Sequence, residues 1–304
     1  MIWWLDERNC QDPACVGGKA ASLARLAADY PVPLAFCLAA VTGPGLSPAL
    51  RTELAEAYTQ LAARCGVAQP RVAVRSSAVD EDGKATSFAG QHESYLNVVG
   101  VEAVITAAER CLASAQSDRA LEYRRAHGLS REARVAVLVQ QLVHSAVSAV
   151  VFSADPRTGA REQIVINAAW GLGESLVGGT VTPDLYLVRK ADLAILSQQV
   201  ADKAVMTVLW AEGTREIAVP RMMRQEPALD DAQVQSLAEL ARSLEEHQGW
   251  PVDLECAYAR GRLYLLQCRP ITTGNQSPRT RLPAARRTRD SGGRKPPVRR
   301  PARG

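Results

Sequence analysis

A chain of 304 residues with 47% hydrophobic side chains can bury a sizeable core, as two domains or as one large two-lobed one. No stretch is apolar and long enough to cross a bilayer, and the N-terminus, MIWWLDERNC, meets acid and arginine too early for a secretory signal, so a cytoplasmic protein is expected. The formal charge of +4 hides an asymmetry, because residues 274–304 hold ten Lys/Arg and one acid, leaving 26 basic and 31 acidic residues at 1–273, a net of −5.

In chain order, Ile2 to Leu5 reads as a buried first strand. Lys19 to Ala28 has helical spacing, and Pro31 and Pro33 end it and force an extended passage into Phe36 to Val41. A second helix starts at Ser47 or Pro48 and runs through Cys65, with Leu50, Leu54, Tyr58 and Leu61 on one face and Gly66 as its cap. Val72 and Val74 alternate as in a strand, and Glu102 to His127 reads as one long helix or two. Arg134–Val143 and Ser148–Ser153 look like paired strands, followed by strands at Gln163–Ala168 and Thr180–Arg189. Asp230 to Gln248 is an amphipathic helix with an aspartate cap, and the last element is a hairpin, Val252–Ala257 with Arg262–Cys268. There is no internal repeat, and strands outnumber clean βαβ units. The class expected is therefore α+β with mixed or antiparallel sheets rather than a doubly wound fold. Seven cysteines without C-x-x-C or nearby histidine argue for reduced, mostly buried thiols. Residues 274–304, rich in Pro, Gly and Arg, have no hydrophobic periodicity and are expected to be disordered. With no aromatic between the arginines they read as a solvated linker rather than a nucleic-acid-binding arm.

Several constellations bear on chemistry. In RVAVRSSAVDEDGKATSFAGQHESYLN, from Arg71 to Asn97, a strand delivers Arg75, Ser76 and Ser77, and a small-residue loop, Ser87–Gly90, follows. A forked cation beside a glycine-containing loop suits an anion, and a surface strand with a solvated arginine explains the same pattern. Gly17-Gly18-Lys19 feeds a helix start, which attracts anions, although the Walker spacing is missing. Trp170–Gly179, with four glycines in ten residues, reads as a flap or a close backbone approach to a ligand, the alternative being a long hairpin connection. On the terminal hairpin Glu255, Gln267 and Arg269 can share a face. A carboxylate and an amide oxygen are hard donors for Mg²⁺, and a plain Glu255–Arg269 ion pair is the competing account. LVQQLV, Leu138–Val143, offers an edge that reads a flat base through its backbone, or an ordinary strand. The four histidines form no nucleophile-like or metal-like arrangement.

VGGKAASLARL, VAVRSSAVDEDGKATSFAGQHESYLNV, VLVQQLV, SADPRTG, WGLGESLVGGTVTPDLY and DLECAYARGRLYLLQCRPIT occur in this order. Together they resemble the ATP-binding N-terminal domain of the phosphoenolpyruvate synthase, pyruvate phosphate dikinase and rifampicin phosphotransferase family. The resemblance covers residues 1–273 and leaves 274–304 as a tail or linker. It implies an ATP-grasp-like, two-lobed nucleotide-binding fold. It further implies that Lys19, Arg75 and Arg269 hold the phosphates and carry catalysis, that Gly90, Ser94 and Tyr95 lie in the nucleotide pocket, that Gln140 lies at the adenine, and that Glu255 and Gln267 hold Mg²⁺. In such enzymes ATP phosphorylates a histidine on a swivelling domain.

The motif of that histidine domain, a glycine pair followed by Thr/Ser-Ser-His-Ala, does not occur in the sequence. The partner expected is therefore a separate phosphohistidine domain or polypeptide, with neither membrane nor nucleic acid as partner. The competing reading is a non-catalytic ATP-binding remnant or sensor. Smaller departures from the family pattern are Leu34-Ala35 for Pro-Gly, Val79 for a threonine and Cys256 for a tryptophan.

Overall fold

The structure is a computed structural model that describes residues 1–79, 94–117, 120–122, 125 and 134–271. The loop Ser87–Gly90, much of the stretch before His127, and the tail from 272 onward lie outside the described residues.

Strand β1 (Ile2–Trp4) leads through a 3-10 turn into helix α1 (Pro13–Leu26) and strand β2 (Ala35–Val41). Helix α2 (Pro48–Cys65), strands β3 (Val72–Ala78) and β4 (Ser94–Val98), helix α3 (Val101–Ser114) and strand β5 (Val135–Gln141) follow. These strands form one sheet in the order β1-β2-β5-β3-β4, antiparallel throughout. Strands β6 (Val147–Phe152), β7 (Gln163–Trp170), β8 (Asp184–Arg189), β9 (Ile195–Gln199), β12 (Val252–Ala259) and β13 (Arg262–Pro270) form the second, in the order β13-β12-β6-β7-β8-β9. A short helix α4 (Glu174–Gly178) lies between β7 and β8, strands β10 (Val205–Leu209) and β11 (Thr214–Ala218) make a separate ribbon, and α5 (Asp231–Gln248) precedes the final hairpin. The expected α+β class with antiparallel sheets in two lobes is what the chain adopts.

Local chemistry explains most boundaries. Ser47 caps α2 by accepting from the Leu50 amide, Pro48 occupies the first turn, and Gly66 closes the helix in the left-handed region. Asp230 and Gln233 exchange side-chain and backbone bonds at the start of α5, a reciprocal capping box. Two expectations fail. Arg134–Val143 and Ser148–Ser153 do not pair: β5 is central in the first sheet and β6 belongs to the second, because the residues between them carry the chain from one lobe to the other. Helix α1 begins at Pro13, capped by Asp12, rather than at Lys19, and Gly17 breaks it internally with φ 73° and ψ 165°.

Strand β3 shows how one period of two serves two cores. Val72 and Val74 join Phe36, Leu38 and the apolar faces of α2 and α3 on one side of the first sheet. The alternate residues face α1 and the second sheet, where Ser77 Oγ accepts from the Ala20 amide at 3.2 Å. Helix α1 fills the space between the sheets, with Leu23 and Leu26 fully buried in a core that also takes in β6, β7, β12 and α5. Its close approach to β3 requires glycine. A Cβ at Gly17 would stand 2.3 Å from the Ser77 carbonyl oxygen, in a backbone conformation that side chains rarely adopt.

The second sheet has its own buried anchor. Asp184 at the start of β8 accepts from Lys203 Nζ at 2.6 Å, and its two oxygens also take the Ala201 and Ala228 amides at 2.8 Å. Both side chains are fully buried, so each neutralises a charge that water cannot reach. Asp184→Ala is expected to cost about 3–5 kcal/mol, because it strands a buried ammonium. Gly17→Ala is expected to cost about 2–5 kcal/mol from strain and overpacking. Urea unfolding followed by circular dichroism measures both.

Candidate functional site

The face where α1, β3 and the β12–β13 hairpin meet carries most of the residues singled out from sequence. Beyond the break at Gly17, α1 sends Lys19 to the end of β3, where its Nζ donates to the Ser76 carbonyl at 3.0 Å. Ser22 on the same helix donates to the Cys268 carbonyl at 2.8 Å, which fixes α1 against β13. The helix thereby sets the distance between the strand bearing Arg75 and the hairpin bearing the acidic residues.

The hairpin is tightened by a two-residue turn in which Arg260 (φ 50°) and Gly261 (φ 73°) are both left-handed. Its register pairs Asp253 with Arg269 and Glu255 with Gln267. Between Glu255 and Cys256 the register slips, and Leu266 falls outside the pairing. The freed carbonyl of Leu266 accepts from Arg75 Nη1 at 3.4 Å, and Glu255 Oε2 accepts from Arg75 Nη2 at 3.2 Å. Arg75 is thus held by two groups of the other sheet. Its side chain is only 13% exposed, and its Nε is buried without a partner among the described residues.

The simple Glu255–Arg269 ion pair considered from sequence is not formed. Arg269 instead turns to its register partner, with Nε and Nη2 donating to Asp253 Oδ2 at 2.8 and 2.6 Å. Asp253 is buried and was not singled out from sequence. Its signal was the alternation Asp253-x-Glu255 opposite Gln267-x-Arg269, which puts two acids over an amide and a cation on one face. Gln267 and Glu255 present an amide and a carboxylate across one register pair, a small set of hard donors suited to a cation that keeps part of its water shell. Cys256, next to Glu255, points into the core, and burial pushes its thiol far above the ordinary cysteine range, so it serves packing.

Gln140 corrects another expectation. LVQQLV is no edge: β5 lies between β2 and β3, and the Gln140 backbone is paired with both Ala35 and Ala73. A base cannot be read there through free backbone groups. The side chain remains available, being 2% exposed with an Nε2 that meets no partner among the described residues. The glycine-rich Trp170–Gly179 segment is the hairpin connection between β7 and β8. Its Gly171 approaches the Thr207 carbonyl of β10, where an added Cβ would lie 2.3 Å away, so the close contact is with the protein itself.

Ser94 and Tyr95 part company with the rest. Both lie on β4, Ser94 opposite Arg75, yet they line a cavity of about 540 Å³ between β4, α3 and the β10–β11 turn. Arg110 stands over the Tyr95 ring there, and none of Lys19, Arg75, Gln140, Glu255, Gln267 and Arg269 lines that cavity. Asn97, with φ 59°, fastens the β10–β11 turn by donating to the Trp210 and Gly213 carbonyls at 2.8 and 2.6 Å. Gly90 lies outside the described residues. Among the described residues no group of three or more His, Cys, Asp or Glu is placed to hold a metal ion, and no helix is long and apolar enough to cross a membrane.

The chain is 36% identical over 317 residues to the probable phosphoenolpyruvate synthase of Methanocaldococcus jannaschii, a match that covers 90% of this chain and 27% of that protein. It is 42% identical over 231 residues to the phosphoenolpyruvate synthase of Pyrococcus furiosus, covering 73% and 28% respectively. To the rifampicin phosphotransferase of Streptomyces sviceus it is 42% identical over 226 residues, covering 74% and 26%. The chain therefore spans about a quarter of the length of these relatives. Among solved structures, the dinucleotide-forming acetyl-coenzyme A synthetase 1 of Ca. Korarchaeum cryptofilum aligns over 83% of this chain and 90% of its own, at 10% identity and a TM-score of 0.42, too low to bear on the fold. Residues 40–290 match the family model described as pyruvate phosphate dikinase, AMP/ATP-binding domain, and the chain belongs to that family.

Proposed function

We propose that residues 1–273 form an ATP-grasp-like domain that binds ATP with Mg²⁺ and presents its phosphates to a histidine on a swivelling domain outside these 304 residues. The observation that carries this is one connected constellation. Lys19 meets the strand at Ser76, the residue after Arg75, Arg75 meets Glu255, Glu255 stands opposite Gln267, and Arg269 is braced by Asp253 two residues along the same hairpin. Helix α1 and three strands drawn from both sheets thus bring three cations, two carboxylates and an amide to one face, in a chain whose family is an AMP/ATP-binding domain.

Each residue type suits its role. Arg75 and Arg269 offer planar forks that match phosphate oxygens, and Lys19 offers a compact charge. Glu255 and Gln267 would hold Mg²⁺, which supplies neutralisation of phosphate charge when bound. The small, hard donor set fits a cation that takes its remaining ligands from water and substrate. Gln140, a buried amide whose Nε2 meets no partner among the described residues, is the group proposed at the adenine. Ser94, which lies opposite Arg75 in the β3–β4 register, is proposed to flank the phosphates. Gly90 is kept as a proposed pocket residue, whereas Tyr95, opposite Val74 and packed on the other core, is not. Phosphoryl transfer asks mainly for positioning and charge stabilisation, which this set provides without a nucleophile of its own.

Arg75→Ala and Arg269→Ala are each expected to weaken ATP·Mg²⁺ binding about 10- to 100-fold, the loss of charge-assisted hydrogen bonds, with the circular dichroism spectrum unchanged. Asp253→Ala is expected to lower stability by about 1–3 kcal/mol in urea and to weaken nucleotide binding, because Arg269 loses its brace. Mixed with a separately produced histidine domain of the phosphoenolpyruvate synthase type, the chain is expected to transfer label from ATP labelled at the β or γ position to that histidine. A histidine domain that stays unlabelled, in a mixture where ATP binds, would rule out the transfer role.

A further inference from the structure

We infer that Glu255 is also the positioning residue for Arg75, and that the exchange of its partners makes the site select metal-loaded triphosphate over free triphosphate. The inference rests on the ATP·Mg²⁺ reading above.

The two side chains come from different sheets, Arg75 from β3 and Glu255 from β12, and their contact at 3.2 Å bridges the lobes. At 13% and 18% exposure, water screens the pair only in part. Arg269 is committed to Asp253, so among the described residues Arg75 is the cation within ion-pair distance of Glu255. The bulge at Leu266 adds a carbonyl that accepts a second proton of the same guanidinium. Arg75 is therefore parked on the very carboxylate proposed to hold the cation, and its Nε meets no partner among the described residues.

The consequence follows from charge. A triphosphate that arrives without a cation must draw Arg75 from Glu255 and leave a half-buried carboxylate unpaired beside its own negative charge, which is costly. A divalent cation at Glu255 neutralises that carboxylate and releases the guanidinium to the phosphates. Cation and triphosphate each raise the affinity of the site for the other, and by linkage the two factors are equal. A single ion pair thereby enforces the form of the nucleotide that enters, without a separate recognition element.

The test is a double-mutant cycle read by isothermal titration calorimetry on the full chain, with ATP in EDTA and with ATP plus MgCl₂, for wild type, Glu255→Gln, Arg75→Ala and the double variant. The expected result is that Glu255→Gln binds metal-free ATP about 10-fold more tightly than wild type and gains little from magnesium. That gain should vanish in the Arg75→Ala background, as coupling between contacting residues requires. Absence of the gain overturns the inference. So does a gain that persists undiminished without Arg75, since the carboxylate would then merely repel the phosphates. Circular dichroism checks folding, and Glu255→Ala replaces the glutamine variant in the cycle if the latter fails to fold. A wild-type chain that binds no ATP in either form overturns the proposed function and this inference together. Arg75-dependent binding of ATP·Mg²⁺ with an empty cycle overturns the inference alone.

Discussion

The contact on which the structure depends is the approach of α1 to the end of β3. Two sheets can share one core only if something apolar fills the gap between them, and α1 does so with Leu23 and Leu26 buried and its small residues turned to the strands. At Gly17 the helix comes within van der Waals limits of the Ser77 backbone, closer than any side chain permits. The same approach sends Lys19 to the Ser76 carbonyl and lets Ser22 grip β13. A packing constraint at one glycine thus fixes where the charged face of one sheet meets the charged face of the other.

On that face the charges are arranged in pairs that cross either the hairpin or the gap between sheets. Asp253 holds Arg269 within the hairpin, whereas Glu255 reaches to Arg75 in the other sheet. The register slip at Leu266 supports the second of these contacts, because it frees a carbonyl that helps hold Arg75. Positive charge is therefore available to an anion, yet each arginine has a carboxylate that orients it. Pre-oriented donors are what a phosphate site requires, since a guanidinium that must be ordered on binding loses part of its contact energy to entropy.

Much of this was legible in the sequence. Helix α2 with its Ser47 and Gly66 caps, α5 with its Asp230 cap, and the terminal hairpin follow from local signals acting within a few residues. The common face of Glu255, Gln267 and Arg269 follows from the strand period. The strands β4, β9, β10 and β11 carry no clear sequence signal, because each is only 5 residues long and its mix of half-buried and exposed positions gives little alternation. Strands β5 and β6 suggested a hairpin that the fold does not make, since nearness in sequence says nothing about which sheet a strand joins. The apparent edge at Gln140 turned out to be the centre of a sheet for the same reason.

By itself, the sequence determined the α+β class, the capped helices, the motif order that marks the family, and the types of residue a triphosphate needs. The tertiary structure alone decided the partners: Arg75 with Glu255 rather than Glu255 with Arg269, Asp253 as the brace of Arg269, and Ser94 and Tyr95 on a cavity away from the charged face. The physical reason is that caps and periods act over one turn or one pleat. A side chain's charge partner, by contrast, depends on how sheets far apart in sequence are brought together by the helix packed between them.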